Sequence, residues 1–479
     1  MRNKMPIFVK QHVKKILLAL VCMITGFVVA QNDTVNYEYG FSSVVSSGKY
    51  APFLFHSSSF GSVSHLPVSG GLFASVYKPF QSDKKAFDYS FKVSSLLRSD
   101  NQNTEIYFHE IYADSRLWFL HLTIGIKEES FGNQDTELSG GGLLFSNNAR
   151  PLPRITAGIR EFTAIPFTFG LIQIKGGLSQ GWFTDHVYID NLLLHHKFAY
   201  VRVGGKLPVH VEYGLEHACQ WGGTVQSTGQ TLGGWKDYFR IFLGKSGTTD
   251  VPLSEQINAL GNHIISQNAK VDFRIKDYQF AAYWQNISED GPINFIWSTL
   301  NLPDGLWGFS VKNDKLPVFQ SFLYEYLCTS DQTGPFHDED GIIYGGADNY
   351  FVNGVELNSW NHWGKTIGTP YITSPVFNTS DLLYTENNRV SVHHFGLKGS
   401  YSDTNYKMLL SVSRNYGTYT TPYKPYKPQT SFLMEVNHRF KNFYNIECGL
   451  SLGIDVGTLY GNSTGCMFTL KKSGLLFSY

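Results

Sequence analysis

Apolar and polar residues alternate one by one along several stretches of the chain, and this rhythm constrains the fold more than any other feature. Within 117–127 the apolar positions are Trp118, Leu120, Leu122, Ile124 and Ile126, alternating with Phe119, His121, Thr123, Gly125 and Lys127. The same period recurs in 406–413, 432–439 and 444–452. Because successive side chains of a strand point to opposite faces, a period of two with one apolar face predicts β-strands.

The other face of these strands is unusually polar for a soluble β-sandwich, since Lys, Glu, Arg, Gly and Ser all lie on it. A transmembrane antiparallel β-barrel accounts for both faces, because its outer wall meets lipid and its lumen is wet. Aromatic residues reach 15% of the chain, while charged residues are only 16%, well below the usual quarter. Aromatic girdles at the two membrane interfaces would explain the aromatic fraction.

The first thirty residues have the pattern of an export signal. Five basic residues and no acidic one come first, an apolar stretch follows from Ile16 to Val29, and Ala30 precedes a polar segment. This order predicts a cleaved signal peptide at 1–30 and a mature barrel at 31–479. A lipoprotein signal ending at Cys22 is disfavoured by the bulky Val21. An uncleaved anchor needs about 20 apolar residues, more than this stretch provides.

The length of the mature chain sets the expected strand number. A barrel strand with its share of turns and loops uses roughly 25 residues, which predicts an all-β fold of about 18 strands. An even number places both termini in the periplasm of a Gram-negative bacterium, with the barrel in the outer membrane. Leu475, Phe477 and Tyr479 alternate at the chain end. The barrel assembly machinery recognises a terminal strand of this kind, so this machinery is an expected partner. Outer-membrane lipid is the other expected partner.

One segment does not follow the strand pattern. Leu253, Ile257, Leu260 and Ile264 are spaced as on one face of a helix, and Ser254 is a suitable cap. The spacing predicts a short amphipathic helix within 253–267, too short to span a bilayer. In a barrel such a helix would plug the lumen or pack against an opening. The glycine-rich, acidic stretch 331–350 and residues 244–250 are expected to be long loops.

The charge balance excludes one class of partner. Without residues 1–30 the chain has 34 Lys and Arg against 39 Asp and Glu. A chain with a net negative charge does not neutralise a phosphate backbone, so nucleic-acid binding is not expected.

An ordered set of short motifs carries a family resemblance. The motifs are Leu138-Ser139-Gly140, Ser146 to Pro153, Leu194 to Lys197, Gly214 to His217, Gln220 to Gly223, Ala259 to His263, Asp304 to Gly308, Trp363 to Pro370, Asn387 to Val390 and Arg414 to Tyr419. In this order they resemble the Wzi-like capsule assembly proteins, in the form common in Bacteroidetes. The resemblance implies an outer-membrane barrel of 18 strands with a helical plug. It also implies a lectin-like role in tethering capsular polysaccharide or exopolysaccharide to the cell surface.

Sugar binding requires aromatic faces for stacking and polar groups that bond hydroxyls. The candidate polysaccharide-binding residues are Asn147, Asn148, Arg150, Trp221, Asp304, Trp307, Trp360, Trp363 and Arg414. The alternative interpretation makes the tryptophans interface anchors and the polar residues a lumen network that holds the plug. Arg150 precedes a proline, which predicts a bend or strand end there.

Enzymatic and metal sites have weaker support. Gly461 to Gly465 spells G-x-S-x-G, but it lies in a predicted hairpin turn and no histidine follows. A phospholipase-like serine and histidine pair on the outer wall lacks a convincing setting, so no enzymatic activity is expected.

The pairs His195-His196 and His393-His394 point to opposite faces of their strands, which precludes chelation by either pair. Acidic residues at Asp338, Glu339, Asp340 and Asp348 suit calcium chemistry but lack the spacing of a known loop. No metal or cofactor is therefore expected. Cys448 and Cys466 are either hairpin neighbours or separate thiols, and separate thiols are favoured.

The main rival to polysaccharide binding is a porin or solute transporter of the outer membrane. A barrel of about 18 strands without a plug leaves an aqueous pore. The predicted helix and the many Tyr, Trp and Arg residues favour a blocked lumen instead.

Overall fold

The structure is a computed structural model and describes residues 34–81, 86–257, 259–289, 303–335, 337–339, 342–378 and 384–478. The predicted signal peptide and Tyr479 lie outside the described residues.

In the described part of the chain, eighteen long strands form one closed antiparallel sheet. They are β1 (Thr34–Ser46), β2 (Val68–Lys78), β3 (Phe87–Asp100), β4 (Thr104–Leu117), β5 (Leu120–Ile126), β6 (Pro153–Ala164), β7 (Ile172–Trp182), β8 (Leu193–Val203), β9 (Val209–Trp221), β10 (Asn262–Ile275), β11 (Tyr278–Glu289), β12 (Gly305–Lys312), β13 (Ser321–Cys328), β14 (Val390–Tyr401), β15 (Thr404–Gly417), β16 (Pro422–Phe440), β17 (Ile446–Gly457) and β18 (Ser463–Ser478). Each strand pairs with its neighbours in the chain, and β1 pairs with β18 from Thr34 opposite Ser478 to Ser46 opposite Gly465. The predicted barrel and its strand number are confirmed.

The two ends of the barrel differ in their connections. At the end where β1 begins and β18 finishes, which we call the turn end, consecutive strands are joined by two to eight residues. The opposite end, the loop end, carries the long connections 47–67, 127–152, 222–261 and 329–389. Outer-membrane barrels have this polarity, with short turns in the periplasm and long loops outside.

The predicted alternation places apolar residues on the outer wall. In β17, Leu450 and Leu452 are 48% and 47% exposed. Ser451, which lies between them, and Asp455, further along the strand, are buried. The outward row therefore meets lipid and the inward row meets the lumen or what fills it.

An arginine on this outward row should destabilise the barrel strongly at the middle of the strand and only weakly near its end. We expect Leu452→Arg to lower the free energy of unfolding by about 2–4 kcal/mol, and Val456→Arg near the loop end by about 0–1 kcal/mol. Denaturant unfolding of the barrel in lipid vesicles measures both values. Equal costs at the two positions would contradict a membrane-spanning β17.

The stretch 117–127 was expected to be one strand, and this is wrong. β4 ends at Leu117, β5 begins at Leu120, and Trp118 and Phe119 form the turn between them. Both turn residues are exposed at the turn end. Trp118 and Phe119 are both apolar, as aromatic residues at a membrane interface are, so the hydrophobic pattern gives no sign of the turn.

In the described parts of the loop-end connections lie three short helices: α1 (Phe53–His56), α2 (Tyr238–Leu243) and α3 (Leu253–Ile257). Single 3₁₀ turns span Trp235–Asp237 and Pro375–Phe377, and minor hairpins pair Ile189–Asp190 with Thr224–Val225, His337–Glu339 with Ile342–Gly345, and Asn361–His362 with Lys365–Thr366. The helix expected within 253–267 exists as α3, but it is shorter than predicted because β10 already begins at Asn262. Its predicted place in the lumen is also wrong, since the flanking Val251 and Leu260 pack with the outward-facing Trp221. Gly261, which precedes β10, has φ +95°, a conformation outside the helical region. Among the described residues, no helix has the length and apolar character to cross a bilayer.

The hydrophobic core lies inside the barrel. Buried apolar residues of five loop-end connections pack together, among them Phe55, Phe145 and Trp360. They also pack against inward residues of the wall such as Leu323 and Leu433. The lumen is therefore filled at the loop end by chain that is mostly irregular in structure.

Candidate functional site

Three segments fill the loop end of the lumen, and we call them together the plug: residues 47–67, 127–152 and 346–378. They are bonded to one another through backbone carbonyls. The buried Trp360 donates its Nε1 hydrogen to Leu144 O at 2.9 Å. Asn148 Nδ2 donates to Thr366 O at 2.9 Å, so the second and third segments form one body.

Buried glutamates of the wall hold the plug. Glu325 of β13 accepts hydrogen bonds from Ser139 Oγ at 2.7 Å, Gly140 N at 2.9 Å and Tyr283 OH at 2.5 Å. Glu216 of β9 accepts one from Gly132 N at 2.9 Å. A carboxylate that receives several donors in a dry setting forms strong, directional bonds.

Other motif residues make the same kind of contact. Gln220 Nε2 donates to Ser359 O at 2.7 Å, and Asn388 Nδ2 donates to Tyr350 O at 3.0 Å. Both side chains lie at the loop end and both are fully buried. Several of the family motifs thus provide the bonds between wall and plug.

A cluster of polar and aromatic side chains lies at the rim of the loop end, and we call it the rim cluster: Arg98, Glu105, Tyr107, Arg150 and Trp363. The Arg150 guanidinium lies between two rings, 4.0 Å from the centre of Tyr107 and 4.8 Å from that of Trp363. Its Nη2 is 2.5 Å from Glu105 Oε1. Trp363 is 46% exposed, so one face of the stack is open to the outside.

Local turn chemistry positions Trp363. The strands Asn361–His362 and Lys365–Thr366 pair as a hairpin, and Trp363 and Gly364 form its two-residue turn. Both have positive φ, +52° and +70°, as the favoured two-residue hairpin turn requires. Trp363 Nε1 donates to Thr184 Oγ1 at 3.3 Å and its backbone N donates to Asp185 Oδ2 at 2.9 Å, which fixes the ring.

The rim cluster carries more positive than negative charge. Arg98 forms an ion pair with the same Glu105 that binds Arg150, so two guanidinium groups share one carboxylate. The buried Lys365 lies nearby, and burial together with the charges of Arg98 and Arg150 lowers its pKa to about 7. Lys365 Nζ donates to His56 O at 2.9 Å.

Of the nine candidate residues, the structure brings Arg150, Trp363 and Asn147 to this rim. Asn147 is half-buried, and its Oδ1 accepts a hydrogen bond from Ser130 Oγ at 3.1 Å. Arg150 lies in the irregular segment before β6, as the following proline predicted.

Three other candidates are buried in the loop-end interior. Asn148 and Trp360 bond plug backbone, as described above. Asp304 is 1% exposed and accepts hydrogen bonds from Asp331 N at 2.9 Å and Gln332 N at 2.7 Å. These contacts fit the alternative interpretation of a network that holds the closed end together.

The last three candidates point away from the lumen. Trp307 is 47% exposed on the outer wall, with its ring centre 5.7 Å from that of Trp284, as an interface anchor would be. Arg414 is an exposed outward residue of β15, 5.5 Å from the ring centre of Tyr426. Trp221 is fully buried on the outward side of β9. Whether a residue belongs to a motif does not tell which face of its strand it lies on. The sequence therefore could not separate these three candidates from Arg150.

Sequence reasoning missed Arg98, Glu105 and Tyr107. All three lie near the connection between β3 and β4, outside every family motif. Glu105 and Tyr107 alternate with the exposed Ile106, so inward parity was the signal available for them. Parity alone does not say which inward residues reach the rim.

Two cysteines and a histidine pair lie apart in the barrel wall. Cys448 lies opposite Leu470 and Cys466 opposite Leu452, so the two do not face each other, and all four cysteines in the described residues are free thiols. His393 bonds Tyr324 OH on the exposed side while His394 bonds Leu138 O inside, confirming opposite faces.

Ser463 begins β18 and donates to Tyr50 O at 2.8 Å, in the hairpin setting that was expected. The side chains of Asp338, Glu339 and Asp340 lie outside the described residues. Within the described chain, no group of three His, Cys, Asp or Glu residues is arranged to hold a metal ion.

Acidification is expected to loosen the first plug segment. Burial and the charge of Lys365 lower the pKa of His65 to about 4, and burial also lowers that of His56. Between pH 6.5 and about 4 a released segment binds protons that the packed segment excludes, so packing loses stability as the pH falls through this window. Hydrogen exchange, corrected for its intrinsic pH dependence, should show protection of 47–67 at pH 7 and less at pH 5.

His65→Phe provides the matched control for this effect. A phenylalanine preserves the ring contact with Phe377, whose ring centre is 5.4 Å from that of His65, and removes the titrating group. The loss of protection should be smaller in this variant. Equal protection of the natural chain at both pH values would contradict the prediction.

The comparisons with known proteins agree with this architecture. The family model described as capsule assembly protein Wzi matches residues 68–345. The chain is similar to the solved structure of Escherichia coli Wzi, an outer-membrane protein involved in group 1 capsule assembly and a carbohydrate-binding β-barrel, with a TM-score of 0.56 and 10% identity over 95% of this chain and 87% of that chain. A second similar structure is Pseudomonas aeruginosa OccK5 (OpdH), with a TM-score of 0.49 and 6% identity over 93% of this chain and 99% of that chain. A search of curated proteins found no match.

Structural likeness at such identities shows the fold alone. The family match, by contrast, covers more than half of the chain and includes seven of the motifs in full. The family match agrees with the fold described above, an outer-membrane barrel in which motif residues form hydrogen bonds between the wall and the plug. The chain belongs to the Wzi family of capsule assembly proteins.

Proposed function

We propose that this outer-membrane barrel is a lectin-like protein that attaches capsular polysaccharide or exopolysaccharide to the cell surface through the rim cluster. The observation that carries the proposal is the stack of Tyr107, Arg150 and Trp363, open on one side at the loop end. The family to which the chain belongs supports the same role.

The chemistry of the rim cluster suits a sugar chain. An exposed tryptophan face stacks on the C–H surface of a sugar ring, and guanidinium and amide groups bond its hydroxyls. Glu105 and Asp185 hold the stack in place before any ligand arrives, which reduces the ordering cost of binding. Binding, rather than catalysis, is the activity we propose.

The mature chain is proposed to reach its place by the ordinary export route. Residues 1–30 act as a cleaved signal peptide, and the terminal strand is recognised by the barrel assembly machinery. The apolar outward row then contacts outer-membrane lipid.

One observation favours the channel alternative. The lumen side of the wall carries charged and polar groups: Lys312 pairs with Asp135 of the plug at 2.7 Å, and His210 pairs with Asp272 at 3.0 Å toward the turn end. A polar cavity lies between Gln134 of the plug and the wall residues Lys270 and Gln279. A polar lumen suits the passage of solutes, whereas the plug blocks that passage.

Deletion of the gene in the native host tests the proposal. Surface polysaccharide is stained on the cells and in the spent medium. Shedding into the medium with unchanged total synthesis is the expected result. Unchanged surface polysaccharide, combined with robust conductance of the purified protein in planar bilayers, would replace the lectin role by a channel.

A further inference from the structure

The connection 222–261 begins beside the interior cluster, to which Val225 and Leu232 belong. Its later part, residues 233–257 and 259–261, lies on the outside of the barrel, and we call this part the flap. Two separate apolar clusters show this. Leu194 and Ala218 belong to the cluster inside the barrel, whereas their strand neighbours Leu193 and Cys219 belong to a second cluster with Ile241 of the flap. Because neighbours on a strand point to opposite faces, the second cluster lies on the outer wall.

Helix α2 of the flap runs down this wall toward the membrane. Just before the helix, the ring of Trp235 lies 5.6 Å from that of Trp221, the last residue of β9. Near its end, the ring of Phe242 lies 5.5 Å from that of His195, and Lys197 Nζ donates to Phe242 O. Trp221 pairs with Leu193, so Lys197 lies four residues below the strand end, a descent of about 13 Å.

The side of the flap that faces away from the wall is apolar. Trp235, Phe239, Leu243 and Leu253 are 59%, 75%, 42% and 69% exposed. Phe239 and Leu243 are four residues apart and share one face of α2, opposite the fully buried Ile241. Exposed aromatic and aliphatic side chains in this number, on one short element, mark a contact surface.

The apolar face of the flap is continuous with the lipid-facing wall. Beyond Lys197 on the same outward row of β8 lie Val201 and Val203, which are 45% and 43% exposed. Val211 of β9 is 51% exposed beside them. Short amphipathic helices with Trp, Phe and Leu on one face lie in membrane interfaces with that face among the acyl chains.

We propose that the flap is a membrane anchor whose Trp235, Phe239 and Leu243 insert among the acyl chains of the outer leaflet beside β8–β10. The flap is thus separate from the surface that binds polysaccharide. It fixes the loop end of the barrel against the lipid, and its occupant is lipid rather than sugar.

Fluorescence quenching by lipid chains tests this anchor. The full-length mature protein is reconstituted into nanodiscs of either ordinary or dibrominated phosphatidylcholine. The difference in emission between the natural chain and Trp235→Phe isolates the contribution of Trp235. We expect that contribution to fall about twofold or more in brominated lipid, and to resist quenching by iodide in the aqueous phase.

Two other tryptophans of nearly equal exposure calibrate the measurement. Trp307 on the outer wall is 47% exposed, and Trp363 in the rim cluster is 46% exposed. The same subtraction with Trp307→Phe should show quenching by brominated lipid, and with Trp363→Phe quenching by iodide only. A Trp235 signal that behaves like that of Trp363 would overturn the anchor and make the flap a free surface loop. The outcome is independent of whether the rim cluster binds sugar.

Discussion

Replacing Glu325 by alanine is expected to turn a closed barrel into one that conducts ions. The Glu325 carboxylate is 2% exposed and receives Ser139 Oγ, Gly140 N and Tyr283 OH. Alanine leaves these three buried donors without an acceptor, and each such loss costs about 1–3 kcal/mol. The 127–152 segment, which crosses the lumen, should therefore detach from β13.

Two measurements show the release of the plug. Single-channel conductance in planar bilayers should rise from little or none to frequent openings. Protease added from the loop end should also cut within 127–152 in the variant and spare the natural chain.

Glu435→Ala is the matched control for this prediction. Glu435 is another inward carboxylate of the wall, but it pairs with Lys407 at 3.3 Å and contacts no plug residue among its hydrogen bonds to described residues. Its removal should leave conductance unchanged, because a partly exposed pair contributes about 0–1 kcal/mol. Equal conductance in both variants would mean that packing and the other bonds, such as those of Glu216 and Gln220, hold the plug without Glu325.

Replacing Arg150 by alanine is expected to weaken polysaccharide binding about tenfold or more. The guanidinium separates and orients the rings of Tyr107 and Trp363, and a partly desolvated cation–π contact is worth up to about 2 kcal/mol. A loss of about 1.4 kcal/mol corresponds to a tenfold change in affinity. Retention of purified surface polysaccharide by the detergent-solubilised protein measures the effect.

Arg414→Ala is the control for Arg150→Ala. It shows whether the loss of any arginine that stacks on a tyrosine reduces polysaccharide binding. Arg414 also lies over a tyrosine, 5.5 Å from the ring centre of Tyr426, but on the outward face of β15. Polysaccharide retention should be unchanged in this variant. If Arg414→Ala and Arg150→Ala reduce retention equally while both fold, the rim cluster is not the binding surface.

The polar motifs illustrate how far sequence patterns reach. Gly214 to His217 and Leu138 to Gly140 were identified as recognition marks without a role. The structure joins them to the wall and the plug, through Glu216 with Gly132 N and Glu325 with Gly140 N. The order of motifs along the chain says nothing of such pairs, because the partners are 84 and 185 residues apart.

The sequence by itself determined the barrel. The alternation in β15, β16 and β17 depends only on the two faces of each strand, and these faces are set by neighbours in the chain. The expected strand number depended on length alone. The motif order in turn pointed to the Wzi family, which the family match shows.

Only the tertiary structure decided which residues meet at the rim and which face lipid. Arg150, Tyr107 and Trp363 come from three distant parts of the chain, and the plug that brings them together has no repeating pattern. The flap lies outside and the plug inside although both are loop-end connections. That choice depends on long-range packing against one face of the wall or the other, and local sequence periodicity does not encode it.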